Sequence, residues 1–313
     1  MDDQFSSGGL AACITQSASK QTYYTIRLLV DRERVEDAYR AYAYFRWVDD
    51  FIDATSCLYE ERIAFTDRQK RLLDSFYQGN ISNGLCAEEW MLADLVRNDT
   101  ERNSGLQTYL RYMMDVMTFD ARRRGRIISE GELLDYTHKL AKAVTEALYF
   151  FIGHDDPSPC HEARYLAVTA AHITHMLRDA VEDADSGYYN IPREISSARG
   201  ISPRDITNPI YQEWARDRVQ LAREYFKKGR ECTAQVKNLR CRLAGFAYIT
   251  RFEWMLDAIE RDQYYLRSEY PERKSLRTGL WMAASTLIAM FASLRLRSEL
   301  RNSVPQPVRM NKR

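Results

Sequence analysis

The feature that most constrains this chain is how little interrupts its helical periodicity. Only 13 glycines and 8 prolines occur among 313 residues, and the stretches 153–160 and 185–207 hold four of those prolines. Both residue types end helices, Gly through backbone freedom and Pro through its missing N–H. Elsewhere apolar residues recur at three- and four-residue spacing. Ser19 is placed to cap a short helix through Leu29, and a long helix follows from Arg34 to about Thr55. Helical patterns then cover 60–78, 87–97, 104–121, 130–152, 161–184, 208–236 and 239–269, with a turn at Asn80–Gly84. No apolar/polar alternation is long enough to build a sheet, and no repeat of about 20–50 residues is visible. The expectation is one all-α domain over 19–275. The small polar residues 1–18 read as a flexible arm, and 276–313 as an apolar helix with a basic tail.

Composition removes several classes of function. Lys plus Arg is 45 and Asp plus Glu is 44, a net charge of +1, so nothing supports a nucleic-acid partner. The 45% apolar content excludes disorder and supplies a large core. No two of the six cysteines are in CxxC spacing, and no basic stretch followed by an apolar run opens the chain. Reduced thiols and a cytoplasmic protein are therefore expected. Residues 278–294 carry no charge, and Arg295, Arg297 and Arg301 follow. The plainer expectation there is a buried last helix. The alternative is a membrane contact with a basic flank.

Two carboxylate clusters carry chemistry. On a helix Tyr42, Arg46, Asp49 and Asp53 form one stripe, and with Asp50 they lie among Tyr44, Phe45, Trp47, Val48, Phe51 and Ile52. Two aspartates one turn apart in apolar surroundings raise each other's pKa, a conflict a divalent cation resolves. Hard oxygen ligands suit Mg²⁺, which usually also binds substrate phosphates. The plainer alternative is an acidic surface with Arg46 paired to Asp49 or Asp50. The second cluster is His172-Ile-Thr-His175-Met-Leu-Arg178-Asp179-Ala-Val-Glu182-Asp183. Asp179 and Asp183 are again one turn apart, and the two histidines extend the same face. Two such helices facing one another make acidic walls for metal ions with a diphosphate between them. Arg40, Arg46 and Arg178 are candidates for the remaining phosphate oxygens.

These residues resemble the squalene/phytoene synthase family of head-to-head prenyl transferases. Arg46, Asp49, Asp50 and Asp53 match its first signature, an Arg followed by D-D-x-x-D. Leu177, Arg178, Asp179, Glu182 and Asp183 match the second, L-R-D-x-x-E-D. Ser19-Lys-Gln-Thr22-Tyr23 is similar to the early Ser/Thr-aromatic segment, and Tyr136 sits where the family has a pocket tyrosine. The resemblance covers roughly 19–275. It implies an all-α isoprenoid-synthase bundle around a central cavity, acting on an allylic prenyl diphosphate with Mg²⁺, or Mn²⁺ in its place. It further implies metal binding by Asp49, Asp50, Asp53, Asp179 and Asp183, with Tyr136 and His175 beside the reacting carbons. Arg46, Arg178, Arg40, Ser19, Thr22 and Tyr42 are the implied diphosphate contacts, and His172, Thr145, Ala141 and Phe252 the pocket.

The sequence departs from the family in three places. The Gln and Asn that usually precede the second signature are His172 and His175. A usually Gly-rich helix reads Lys139-Leu-Ala-Lys142-Ala-Val-Thr145, and the usual R-x-Y-x-P reads Tyr188-Tyr-Asn190-Ile-Pro192. The diphosphate-ionising half matches; the half that shapes the second substrate site differs. Head-to-head condensation of two prenyl diphosphates is the leading expectation. The alternatives are capture of the same cation by a non-isoprenoid acceptor such as an aromatic ring, cyclisation, or a non-catalytic relative serving as an assembly protein. His172 and His175 stand as polar replacements or as a base. Lys139 and Lys142 are expected at a solvated helix edge.

Overall fold

A computed structural model describes residues 7–154 and 161–302, with side chains through Ser293 in the last helix. The described residues form α1 (Ser7–Ala18), α2 (Lys20–Leu29), α3 (Val35–Asp53), α4 (Tyr59–Tyr77), α5 (Ala87–Asn98), α6 (Gly105–Arg123) and α7 (Glu130–Phe151). Beyond residues 155–160 follow α8 (Leu166–Arg178), α9 (Ala180–Asp185), α10 (Arg193–Arg199), α11 (Pro209–Gln235), α12 (Leu239–Arg261) and α13 (Leu276–Asn302). Among the described residues there is no strand, only an isolated parallel bridge between Ile127 and Tyr189. The all-α expectation holds.

Local chemistry sets the helix starts. Ser19 accepts the Thr22 N–H at 3.1 Å and opens α2. Ser129 accepts the Glu132 N–H at 3.2 Å while Glu132 accepts the Ser129 N–H at 2.8 Å, a capping box that opens α7. Asn208 caps α11 with Pro209 in its first turn, and Asn238 caps α12.

The buried side chains gather into two main clusters. One is built from α1 and α3 to α7, centred on Tyr44, Leu92, Leu110 and Met114. The other is built from α8, α9, α11 and α12, centred on Tyr211, Phe226, Ile249 and Leu256. Ile128, Leu133 and Met176 bridge them where α7 meets α8. Close approach of α8 and α11 depends on Gly229, where a Cβ would stand 2.8 Å from Ala167 Cβ and 2.9 Å from its backbone N. Gly229→Ala is therefore expected to destabilise the fold by about 1–3 kcal/mol, read as a lower denaturant midpoint at unchanged slope.

Three expectations need correction. Residues 7–18 are not a flexible arm. Gly8, Ala11 and Thr15 make a stripe of small buried residues that lays α1 on α3 and α5, and residues 1–6 lie outside the described chain. The helix expected over 161–184 breaks at Asp179, whose φ and ψ of −95° and 5° leave the helical region. The Asp183 N–H still donates to the Asp179 carbonyl at 2.8 Å, so the two aspartates stay one turn apart. The last helix is not a buried one. Thr278, Thr286, Met290 and Ser293 face the body, whereas Leu280, Ile288 and Phe291 are 66%, 68% and 64% exposed. Among the described residues no helix is long and apolar enough to cross a membrane.

Candidate active site

The seam between the two clusters is walled by α3 on one side and α8–α9 on the other, with α6 and α7 between. On α3 the stripe forms as the spacing predicts. Asp53 and Asp120 on α6 both lie close enough to repel the Asp49 carboxylate, and Asp53 also lies close to Asp120. Arg46 pairs with Asp49 at 3.5 Å and closely with Asp50, whose side chain is more exposed than that of Asp49. Asp50 sits one residue, about 100° of helix rotation, away from Asp49 and so leaves the stripe.

The centre of the site is a network the sequence analysis missed. Asp120 accepts hydrogen bonds from the Tyr136 hydroxyl at 3.0 Å and from Arg123 Nε at 2.6 Å. Arg123 is buried and its Nη1 donates to Asn190 Oδ1 at 3.2 Å; Asn190 Nδ2 in turn donates to Asp183 at 2.6 Å. The Arg123 guanidinium lies 4.9 Å from the ring centres of both Tyr136 and Tyr188. Tyr188, just past α9, donates to Asp53 on α3 at 2.8 Å, so the two walls are joined directly. Backbone contacts hold the straps between them: Gly125 N–H to Gly187 C=O at 2.8 Å and Arg193 N–H to Ile128 C=O at 2.9 Å. Arg124 Nη1 reaches the carbonyls of Ile52, Asp53 and Ala54 at 3.3, 3.3 and 3.4 Å, capping the C-terminus of α3 with positive charge.

Electrostatics separates Asp49 and Asp183 from Asp179. Burial, then repulsion from Asp53 and Asp120, pushes the Asp49 carboxyl up to about 7 against the pull of Arg46. Burial with repulsion from Asp179 and Asp120 likewise pushes Asp183 up to about 7, although Asn190 and Arg123 oppose it. Burial acts to raise Asp179 too, but the Arg178 guanidinium that forks onto it holds it at about 2. One wall carboxylate is thus neutralised by protein, while at Asp49 and Asp183 the nearby Arg46 and Arg123 do not offset burial and the neighbouring acids. Among the described residues no three acidic, His or Cys groups converge tightly enough to hold a metal by themselves. Undercompensated hard oxygen donors on two walls fit divalent cations shared with an anionic ligand. Mg²⁺ usually keeps such outside ligands.

A basic cluster lies beside the acidic walls. Arg178, Asp179 and Glu182 line a cleft of about 360 Å³ with Tyr270, Arg273 and Lys274. The pKa of Arg251 is pulled down by burial and by the charges of Arg273 and Arg178, and that of Arg273 by burial and Arg178. Three guanidinium groups that repel one another in this way suit an anion of high charge.

Deeper in, aromatic contacts define a dry lining. The His172 ring meets Tyr136 edge-on at 5.0 Å, and His175 packs on Phe252 at 4.8 Å. Arg178 donates to His175 Nδ1 at 2.9 Å. A guanidinium has no acceptor, so Nδ1 carries the lone pair and Nε2 the proton. The 3.6 Å approach of the same nitrogen to Asp179 is then a proximity, not a hydrogen bond. Burial lowers both histidines, His172 to about 3, so both are neutral near pH 7. Ala141 and Thr145 are buried on α7, and neither Thr145 Oγ1 nor His172 Nε2 has a hydrogen-bond partner among the described residues.

Other expected contacts lie elsewhere. Arg40 is not in the site: its guanidinium is spent on Ser7 at 2.9 Å, Asp37 at 2.7 Å and Glu36 at 3.1 Å, tying α1 to α3. Ser19 and Thr22 are occupied with each other at the start of α2, their hydroxyls 2.9 Å apart. Tyr42 stays on the α3 stripe, packed against the first cluster. Lys139 pairs with Asp135 at 2.7 Å, a helix-edge position as expected, and Lys142 lies over the rings of Tyr112 and Tyr165. Asp120 and Arg123 had a sequence signal in retrospect. An Asp and an Arg three apart, beside Val116, Met117 and Phe119, are a pair on a buried helix face.

Comparison with known proteins gives the family and the fold. The model of the family described as squalene/phytoene synthase matches residues 15–278. A presqualene diphosphate synthase of Zymomonas mobilis is 28% identical over 201 residues, 64% of this chain and 65% of that protein. The chloroplastic phytoene synthase 3 of Zea mays is 24% identical over 269 residues, 82% of this chain and 61% of that protein. The chain thus spans somewhat less than two thirds of the length of either relative. The crystal structure of squalene synthase HpnC from Alicyclobacillus acidocaldarius shares the fold, with a TM-score of 0.67 at 18% identity over 83% of this chain and 95% of that one. With the family model matched from the end of α1 into the start of α13, this chain belongs to the squalene/phytoene synthase family.

Proposed function

We propose that this protein is a divalent-metal-dependent prenyltransferase that ionises an allylic prenyl diphosphate and joins it head-to-head to a second one. The observation that carries the reading is a chain of acids leading to a basic cluster: Asp49 and Asp183, both pushed to about 7 and both repelled by Asp120, and next to Asp183 the Asp179 carboxylate, paired with Arg178, which with Arg273 lines the cleft and with Arg251 forms a set of mutually repelling guanidiniums. Asp49 and Asp53 on one wall and Asp179 and Asp183 on the other would hold Mg²⁺, or Mn²⁺ in its place. When bound, the metal supplies Lewis-acid stabilisation of the departing diphosphate. The arginines bind its remaining oxygens. Tyr136 and Tyr188, held by Asp120 and Asp53, pack their rings on the Arg123 guanidinium and keep it fixed between the two walls. The buried lining of Ala141, Phe252 and neutral His172 excludes water from the positive charge that develops on the allylic chain.

One observation favours a second reading. Thr145 Oγ1, on the helix that is Gly-rich in the family, and His172 Nε2 on α8 are both buried without partners among the described residues, which suits an acceptor with a polar group better than a bare prenyl chain. Both readings are tested by incubating the protein with Mg²⁺ and allylic diphosphates of graded chain length, then measuring released diphosphate and extracting products for mass spectrometry. The head-to-head reading predicts diphosphate release with a product of doubled carbon number. Release giving only prenyl alcohol or a cyclic product turns the assignment to the acceptor or cyclisation reading. No release from folded protein with any substrate contradicts the proposal and leaves a non-catalytic relative.

A further inference from the structure

The two acidic walls end at one point. α3 closes at Asp53 with Ala54 as its cap, and α9 closes at Asp185 with Ser186 as its cap. The last carbonyls of a helix lack partners within it and carry the negative end of its dipole. Here both sets converge on one side chain, Arg124, in the link between α6 and α7. Its Nη1 donates to the carbonyls of Ile52, Asp53 and Ala54 at 3.3, 3.3 and 3.4 Å, and its Nε to the carbonyl of Ser186 at 3.2 Å. We propose that Arg124 is a positioning residue: it sets the gap between the two carboxylate walls, and through that gap how tightly they hold divalent cations with a diphosphate. The inference rests on the metal site proposed above.

Each wall transmits the grip to a carboxylate. On α3, Asp53 is held at both ends, its carbonyl by Arg124 and its carboxylate by the Tyr188 hydroxyl at 2.8 Å. On α9, the Ser186 N–H donates to the Glu182 carbonyl at 3.0 Å, and the Tyr188 N–H to the Asp183 carbonyl at 2.7 Å. A shift of Ser186 therefore moves the turn that carries Asp183. The next residue in the link, Gly125, donates its N–H to the Gly187 carbonyl at 2.8 Å, which keeps the base of the Arg124 side chain against the end of α9. Guanidinium geometry lets one residue span two helix ends. Nε and Nη1 are fixed in one rigid plane, so carbonyls of α3 and α9 are held at a set separation. A lysine brings the same charge on a single nitrogen at the end of a flexible stem. Mg²⁺ holds its ligands at about 2.0–2.1 Å in near-ideal octahedral geometry, so carboxylates on walls free to drift bind it less well. Partners outside the ligand shell typically change metal affinity by about 10–100-fold.

The test is calorimetric titration of inorganic diphosphate into the full chain over a series of Mg²⁺ concentrations. For Arg124→Gln and Arg124→Lys alike, the Mg²⁺ concentration giving half-maximal diphosphate binding is expected to rise at least about tenfold. Arg126→Gln removes the same charge two residues along, from a side chain paired with Glu132, and is expected to keep the parent's value. Gly229→Ala, which lowers stability away from the walls, is expected to keep it too. The proposal is overturned if Arg124→Lys binds like the parent, because charge alone then suffices, or if Arg124→Gln does. It is equally overturned if Arg126→Gln or Gly229→Ala shifts as far as Arg124→Gln, since net charge or lost stability is then the cause. A parent that binds no diphosphate at any Mg²⁺ concentration contradicts the metal site itself, and this proposal falls with it. A parent that binds while Arg124→Gln matches it contradicts this proposal alone.

Discussion

Replacing Asp49 with Asn is expected to lower diphosphate release by on the order of 10²–10³-fold and to make the metal-free protein more stable at pH 8. Both effects have one cause. Asp49 is held where its carboxylate is disfavoured, at about 7 against an ordinary 3.8. A pKa raised on folding contributes stability that is present below the unfolded value and lost as pH rises through the folded one. The metal-free protein should therefore weaken between about pH 4 and pH 7. Taken at face value the shift is worth roughly 4 kcal/mol per site. The Asp49 side chain is 41% exposed, however, so screening by water leaves about 1–2 kcal/mol. Asn removes that loss at pH 8 and is nearly neutral at pH 4, where the acid is already protonated. Chemical denaturation of parent and variant at the two pH values checks the sign. A variant less stable than the parent at pH 8 would mean that Asp49 is stabilised by protein partners and needs no cation.

Arg123→Met is expected to cost about 3–5 kcal/mol, the largest stability loss among the site variants. The substitution keeps much of the apolar stem but leaves the largely covered Asp120 with only the Tyr136 hydroxyl, and Asn190 without its donor. Removing one member of a buried ion pair exposes the full desolvation cost of the other. The double variant Asp120→Asn/Arg123→Met should recover part of the loss, because the stranded charge is gone. Additive effects in the double-mutant cycle, measured by urea denaturation, would contradict direct coupling of the two residues.

What was legible in the sequence was local. The helices between turns, the Asp49–Asp53 and Asp179–Asp183 spacing, and the family resemblance all depend on residues within a few turns of one another. Some local signals were passed over. Arg40 has Glu36 four and Asp37 three residues before it, so its helix offers it partners before any phosphate could. α1 was taken as loose because its residues are small, yet small residues are what let a helix lie closely on α3. The rest is tertiary. Nothing in the spacing joins Asp120 and Arg123 on α6 to Asn190 and Asp183, 60 to 70 residues away, or Tyr188 to Asp53 across 135. Nor does an uncharged run tell which side of its helix faces the body. In α13 the hydroxyls face in, and apolarity alone pointed the other way.

The central claim is that the two acidic walls and the neighbouring guanidiniums act as one site for a metal-bound diphosphate. Calorimetric titration of inorganic diphosphate into the protein tests it most directly, with and without Mg²⁺, for the parent and for Asp183→Asn. The account predicts tight binding only with Mg²⁺ present, and a large loss of that binding when the second wall alone is altered. Equal binding without Mg²⁺, or binding that Asp183→Asn leaves unchanged, would contradict it.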